Sequence, residues 1–211
     1  TQNQAFSAIL FLYDKVLEQP LDRIEGVIRA RKPKRLPVVL TPDEVARVMS
    51  HLKSDKRLIA TFLYGGGLRL LEALRLRVKD LDFERGEITV RERKGDKDRV
   101  TMLPQVVTRP LKGHLERVAA IHERDLADGY GRVELPHALA RKFPHADREW
   151  RWQFVFPQER RWVNRQTGEQ GRHHVHESLV QKAVSQAARV AGLSKRVTCH
   201  TFRHSFATHL L

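Results

Sequence analysis

Gly66-Gly67-Leu68-Arg69-Leu70-Leu71-Glu72-Ala73-Leu74 is the stretch on which the fold turns. Gly65, Gly66 and Gly67 break the helical pattern of Ile59, Phe62 and Leu63 and let the backbone pass close to a neighbour. A new helix of Leu70, Leu71, Leu74 and Leu76 follows at once, with Arg69 at its start, where an anion is well received. Glu72 lies one turn on and can orient the guanidinium. An isolated Arg–Glu surface pair would carry no function. What gives this one meaning is a second cluster near the far end, His200-Thr201-Phe202-Arg203-His204, and a basic turn between them, Arg93-Lys94-Gly95-Asp96-Lys97-Asp98-Arg99.

Upstream, Thr41-Pro42-Asp43-Glu44 combines a capping hydroxyl, a proline at the first helical position and a glutamate three residues after the cap, so a helix and a domain begin there. Before it, Arg29, Arg31, Lys32, Lys34 and Arg35, broken by Pro33 and closed by Pro37, form a basic, helix-averse linker over 29–40 that suits an extended path along phosphates. A solvated hinge is the plain alternative. Residues 1–28 hold one amphipathic helix, about Gln4 to Glu18, built on Phe6, Ile9, Leu10, Tyr13, Val16 and Leu17 and ended before Pro20. Having no initiating methionine, it is expected to be the remnant of a domain that begins further upstream.

Downstream, Glu87-Ile88-Thr89-Val90-Arg91 and Arg99-Val100-Thr101-Met102-Leu103 flank the basic turn as a hairpin. A helix is expected from Leu111 to Leu126. Trp150, Trp152, Phe154 and Phe156 alternate like one face of a strand, and Glu177 to Ala191 forms an amphipathic helix stopped by Gly192. The pattern around Phe206 and Leu210 predicts a helix still running at Leu211. The expected class is α+β, mainly α, with a small antiparallel sheet.

Lys+Arg 39 against Asp+Glu 25 gives a formal charge of +14 and favours a polyanionic partner, nucleic acid first, through counterion release. No apolar run reaches spanning length and no secretory leader is recognisable, so a cytoplasmic protein is expected. The single cysteine, Cys199, excludes an internal disulfide and reads as a small buried residue.

Two planar guanidinium forks converging on one phosphate can stabilise its transition state without metal, and Arg69 and Arg203 are the pair in question. His200 and Arg203, three apart, point from one helix face, where an imidazole can move a proton. Lys94, with Lys97 as a rival, can reach a leaving oxygen from the hairpin tip as general acid. His200 and His204 have the spacing of a zinc pair, but no cluster completes four ligands. No cofactor is implied. A nucleophile is also needed, and the three tyrosines, Tyr13, Tyr64 and Tyr130, all precede His200.

The glycine-arginine string, the Lys94-Gly95 hairpin and His200-Thr201-Phe202-Arg203-His204-Ser205-Phe206-Ala207-Thr208-His209-Leu210-Leu211 closely resemble the tyrosine recombinases, or phage-type integrases, across about 41–211. Arg172-His173-His174-Val175-His176-Glu177 and an extra segment over about 129–152 narrow the resemblance to the integron integrases. It implies that Arg69, Lys94, His200 and Arg203 are catalytic, with Glu72 in support. It further implies that a tyrosine following a Leu-Gly-His/Trp segment attacks DNA to form a 3′-phosphotyrosyl link. Neither that segment nor that tyrosine occurs in this sequence: Tyr64 faces the core on pattern and Tyr130 sits in a glycine loop, so the chain is expected to be cut short and inactive as given. Implied partners are duplex recombination sites, folded single-stranded hairpin sites and further copies of the chain in a tetramer. Exposed aromatics beside cations can stack unpaired bases, which marks Trp150, Trp152, His173 and His174, while Phe154 and Phe156 are assigned to the core. Two rivals stand beside this reading: a non-catalytic DNA-binding module that keeps the phosphate pocket, and a metal-dependent nuclease using the histidines.

Overall fold

The structure, a computed structural model, describes residues 2–21, 26, 36–91, 98–135 and 139–210. Contacts divide the chain into two units, Thr1–Leu36 and Pro37–Leu211. In the first, α1 (Gln2–Phe11) passes into a π-helical turn over Leu12–Val16, and α1 buries none of its side chains.

The second unit begins as the sequence predicts. Thr41 caps α2 (Pro42–Ser50): its hydroxyl accepts the Glu44 N–H at 3.2 Å, and the Glu44 carboxylate accepts the Thr41 N–H at 2.8 Å. Next come α3 (Ser54–Gly65), the glycine turn and α4 (Leu70–Leu74). A short 3-10 turn, Val78–Asp80, leads to strands β1 (Leu81–Asp82), β2 (Glu87–Val90) and β3 (Arg99–Met102). These pair antiparallel in the order β1-β2-β3, with Ile88 opposite Leu81 and Val90 opposite Arg99. The hairpin is therefore extended by a third strand that two residues are too short to announce. Ile88 and Val90 point into the core, while Val100 and Met102 face outward.

Helix α5 (Gln105–Ala127) starts six residues before Leu111, because Pro110 lies inside it instead of preceding it. The ring costs the helix only the Pro110 N–H, whose acceptor would be the carbonyl of the exposed Val106. After it come α6 (Leu139–Lys142), two 3-10 turns at Ala146–Arg148 and Trp150–Trp152, and the antiparallel pair β4 (Trp162–Val163) and β5 (Gln170–Gly171). The expected Trp–Phe strand is not formed: Trp150 to Trp152 is a helical turn, and Phe154 only bridges Arg77. Helices α7 (Glu177–Val190) and α8 (Cys199–His209) complete the unit.

Leu40, Ile59, Phe62, Leu74, Phe156 and Phe202 are among the fully buried residues of the main core, where α3, α4, α7 and α8 meet. Val133, Leu135, Ala146, Trp152 and Phe154 form a second, smaller core inside the extra segment. One buried polar link closes the unit: Ser205 on α8 accepts the Leu40 N–H at 2.9 Å and donates to the Thr201 carbonyl at 2.8 Å. The architecture is mainly helical with small antiparallel sheets. No described helix is long and apolar enough to cross a membrane.

Candidate functional site

Arg69 is the N-cap of α4, in extended backbone conformation, and Glu72 turns back to it. The carboxylate accepts the Arg69 backbone N–H at 2.7 Å and Arg69 Nη1 at 2.7 Å. From β3, Arg99 meets the same carboxylate with a fork, Nη2 to Oε2 at 2.6 Å and Nη1 to Oε1 at 3.2 Å. From α8, Arg203 Nη1 stands 3.6 Å from Glu72 Oε2 and donates to the Gly67 carbonyl. Three elements far apart in sequence thus bring three guanidinium groups to one carboxylate. The Glu72 side chain is 10% exposed, Arg69 55% and Arg203 32%, so the acid lies beneath and the cations reach the surface. Burial pushes the Glu72 carboxyl up, but hydrogen bonds from Arg99 and Arg69 outweigh that and hold it below the usual carboxylate range. Three positive groups over one negative one leave a net cationic surface, which is what a phosphodiester requires.

The glycine turn is bracketed on both sides. The Gly66 carbonyl accepts Thr101 Oγ1 from β3 at 2.9 Å, and Gly67, at φ +63°, lies where a Cβ would come 2.4 Å from the Phe206 ring of α8. Only glycine both adopts that φ without strain and admits the ring. The Gly67 carbonyl is then placed to hold Arg203.

His200 sits in the first turn of α8, exposed, and shares with Arg69 a concavity of about 460 Å3 between α4, α7 and α8. Arg203 follows one turn later on the same helix. Arg69, Glu72, His200 and Arg203 are therefore neighbours. Lys94 and Lys97 lie outside the described residues, as do Arg31, Lys32, Lys34 and Arg35. Arg91, at the end of the described residues before Lys94, bonds Asp98 through Nη1 at 3.2 Å and the buried Asp80 through Nε at 2.9 Å. Cys199 is buried, and burial pushes its thiol up to about 11, which agrees with a packing role. Tyr64 packs half-buried against the main core, as expected, with its hydroxyl 2.9 Å from Nδ1 of His209.

Three of the four proposed base-stacking residues, Trp152, His173 and His174, line a cleft next to this site, but not as an open platform, and Trp150 does not line it. Trp152 is only 7% exposed, because an indole in the small second core removes more apolar surface from water than one left outside. Lys79 Nζ lies 3.1 Å from its ring centroid. His174 is buried, with Nδ1 on the Val175 carbonyl, and its ring packs 4.0 Å from that of His173. Trp150 and His173 retain exposed area. Burial lowers the Lys79 ammonium pKa, and Arg91 and Arg77 nearby add to this against the opposing Asp80. An amine lowered chiefly by burial, with neighbouring cations adding to it, is therefore seen here, on a residue the sequence did not single out. Arg99 was missed too; its only signal was a cation at the first position of a strand leaving a basic turn.

The Phage integrase family matches residues 38–211. An "Integrase/recombinase" of Escherichia coli is 47% identical over all of this chain, which spans 63% of that relative's length. "Tyrosine recombinase XerA" of Pyrococcus furiosus is 31% identical over 90% of this chain and 54% of its own. Among solved structures, XerH site-specific recombinase bound to difH substrate superposes with a TM-score of 0.57 at 26% identity, over 97% of this chain and 52% of that one. XerA recombinase does so with a TM-score of 0.53 at 25% identity, over 99% and 61%. The fold and the arginine site together define a tyrosine recombinase catalytic fold. This chain belongs to the phage integrase family.

Proposed function

We propose that this chain is the catalytic portion of a site-specific DNA recombinase of the integron integrase type, with residues 1–28 as part of a helical clamp and 29–40 as basic linker. In this reading Arg69 and Arg203 hold the two non-bridging oxygens of the scissile phosphate, and His200 donates to the same group and moves a proton. A tyrosine hydroxyl attacks phosphorus in line and passes its proton to His200, the P–O5′ bond breaks, and Lys94 protonates the departing 5′-oxygen. The 3′-phosphotyrosyl bond conserves the energy of the ester, so rejoining is the same step reversed and needs no ATP. None of Tyr13, Tyr64 or Tyr130 is assigned as the nucleophile; Tyr64 is engaged with His209 and Tyr130 lies under the Arg161 guanidinium. Partners are duplex recombination sites, folded single-stranded sites whose protruding bases are received by Trp150 and His173 with the buried Trp152 and His174 behind them, and three further copies in a tetramer.

The observation that carries this reading is the meeting of Arg69 and Arg203 at Glu72, beside His200. The test uses the intact protein on a nicked suicide duplex. A covalent protein–DNA adduct that forms equally well in chelator is expected. Arg69→Ala and Arg203→Ala should each lower its rate about a thousandfold while DNA affinity changes little. Retention of cleavage by both variants would refute the assigned roles, DNA binding with no adduct favours a non-catalytic module, and loss in chelator favours a metal-dependent nuclease.

A further inference from the structure

We propose that Arg99 is a positioning residue of this site: by occupying Glu72 with both arms of its fork, it stops that carboxylate from capturing Arg203, the phosphate-binding arginine it does not already hold. The proposal rests on the recombinase reading above. An ionised carboxylate offers roughly four lone-pair positions, and Glu72 has four donors on it. Oε2 takes the Arg69 N–H and Arg99 Nη2; Oε1 takes Arg69 Nη1 and Arg99 Nη1. Arg203, at 3.6 Å, stands just outside hydrogen-bonding range. Removing Arg99 vacates two acceptor positions on a mostly buried anion, whose desolvation makes unfilled positions costly. Arg203 needs to move by less than about 1 Å to fill one with a charge-assisted hydrogen bond, and doing so turns its fork from the surface toward the protein.

Arg99 suits this task because the sheet fixes it. Its backbone is the first residue of β3, in register with Val90, whose side chain is in the core. The brace is thus held by the β-ladder and does not depend on DNA to place it, so the arginine forks are set before a phosphate arrives.

The experiment measures single-turnover adduct formation and DNA affinity for the intact protein and for Arg99→Ala, Arg99→Lys, Glu72→Gln and Arg99→Ala/Glu72→Gln. Arg99→Ala should form adduct about a hundredfold more slowly with affinity within about threefold. The double variant should regain about tenfold, since a neutral amide in place of the Glu72 carboxylate no longer competes for the guanidinium groups. Arg99→Lys, with the charge but no fork, should fall between. A substrate with a 5′-bridging sulfur, whose departure needs no proton, should not restore Arg99→Ala. Wild-type rates for Arg99→Ala, a double variant no faster than the single one, or rescue by the sulfur leaving group each overturn the proposal, the last by assigning the defect to the general acid. Thermal melts accompany every variant; if Arg99→Ala unfolds, Arg99→Lys against Arg99→Lys/Glu72→Gln carries the same comparison. A wild-type protein that forms no adduct overturns the recombinase reading, and the brace with it.

Discussion

At the scale of single residues, Gly67 has the most to lose. Its positive φ and the Phe206 ring against its Cα leave no room for a methyl group, and its carbonyl holds Arg203. Gly67→Ala should therefore combine backbone strain with a steric overlap and destabilise the protein by about 2–4 kcal/mol. Urea unfolding measures this, and a loss below about 0.5 kcal/mol would contradict the close approach. Adduct formation should fall further than stability alone explains, because the Arg203 acceptor moves with the turn. The sequence pointed to this glycine through its neighbours in a triplet, but which of the three mattered depended on α8, which the sequence places far away.

Among elements, one acid on α5, Asp125, gathers two arginines that follow the extra segment between α5 and α7. Asp125, buried near the end of α5, accepts Arg172 Nη2 at 3.0 Å and Arg161 Nη1 at 3.4 Å, and Arg172 also donates to the Gln158 carbonyl at 3.1 Å. Arg172 directly precedes His173 and His174, so this clasp fixes the wall of the aromatic cleft. Asp125→Ala leaves two partly buried guanidinium groups without their shared anion and should cost about 3 kcal/mol or more. Chemical denaturation checks it, and an unchanged midpoint would mean that the clasp is ornamental. None of this was legible in the sequence, since Asp125 and Arg172 pair across 47 positions. What was legible is local: the Thr41–Glu44 cap, the strands around the basic turn, and the inward faces of α3 and α7, apart from the exposed Leu179 that the same pattern turns inward, each depend on residues within a few positions of one another. Where local pattern and tertiary packing competed, packing won. Pro110 is tolerated inside α5, and the Trp–Phe alternation folds as a 3-10 turn over its own small core. The candidate site divides the same way: Arg69, Glu72, His200 and Arg203 were legible from their motifs, whereas Arg99 and Lys79 acquire meaning only from what they touch.

For the whole molecule, a formal charge of +14 sets the character of any DNA complex. If six to ten phosphates are contacted, a log–log plot of affinity against salt should have a slope of roughly −5 to −9, a loss of about a thousandfold or more between 50 and 200 mM. Titrations of the intact protein with a duplex site measure it, and a slope near zero would exclude a phosphate-dominated interface. The bond between Ser205 and Leu40 has a different bearing, on the order of events during synthesis. The opening strap of the larger unit has no complete seat until α8 has left the ribosome, and Arg203 arrives with that same helix. Nascent chains that stop short of α8 therefore lack the paired guanidinium forks, so the arginine cluster cannot assemble before that helix has emerged.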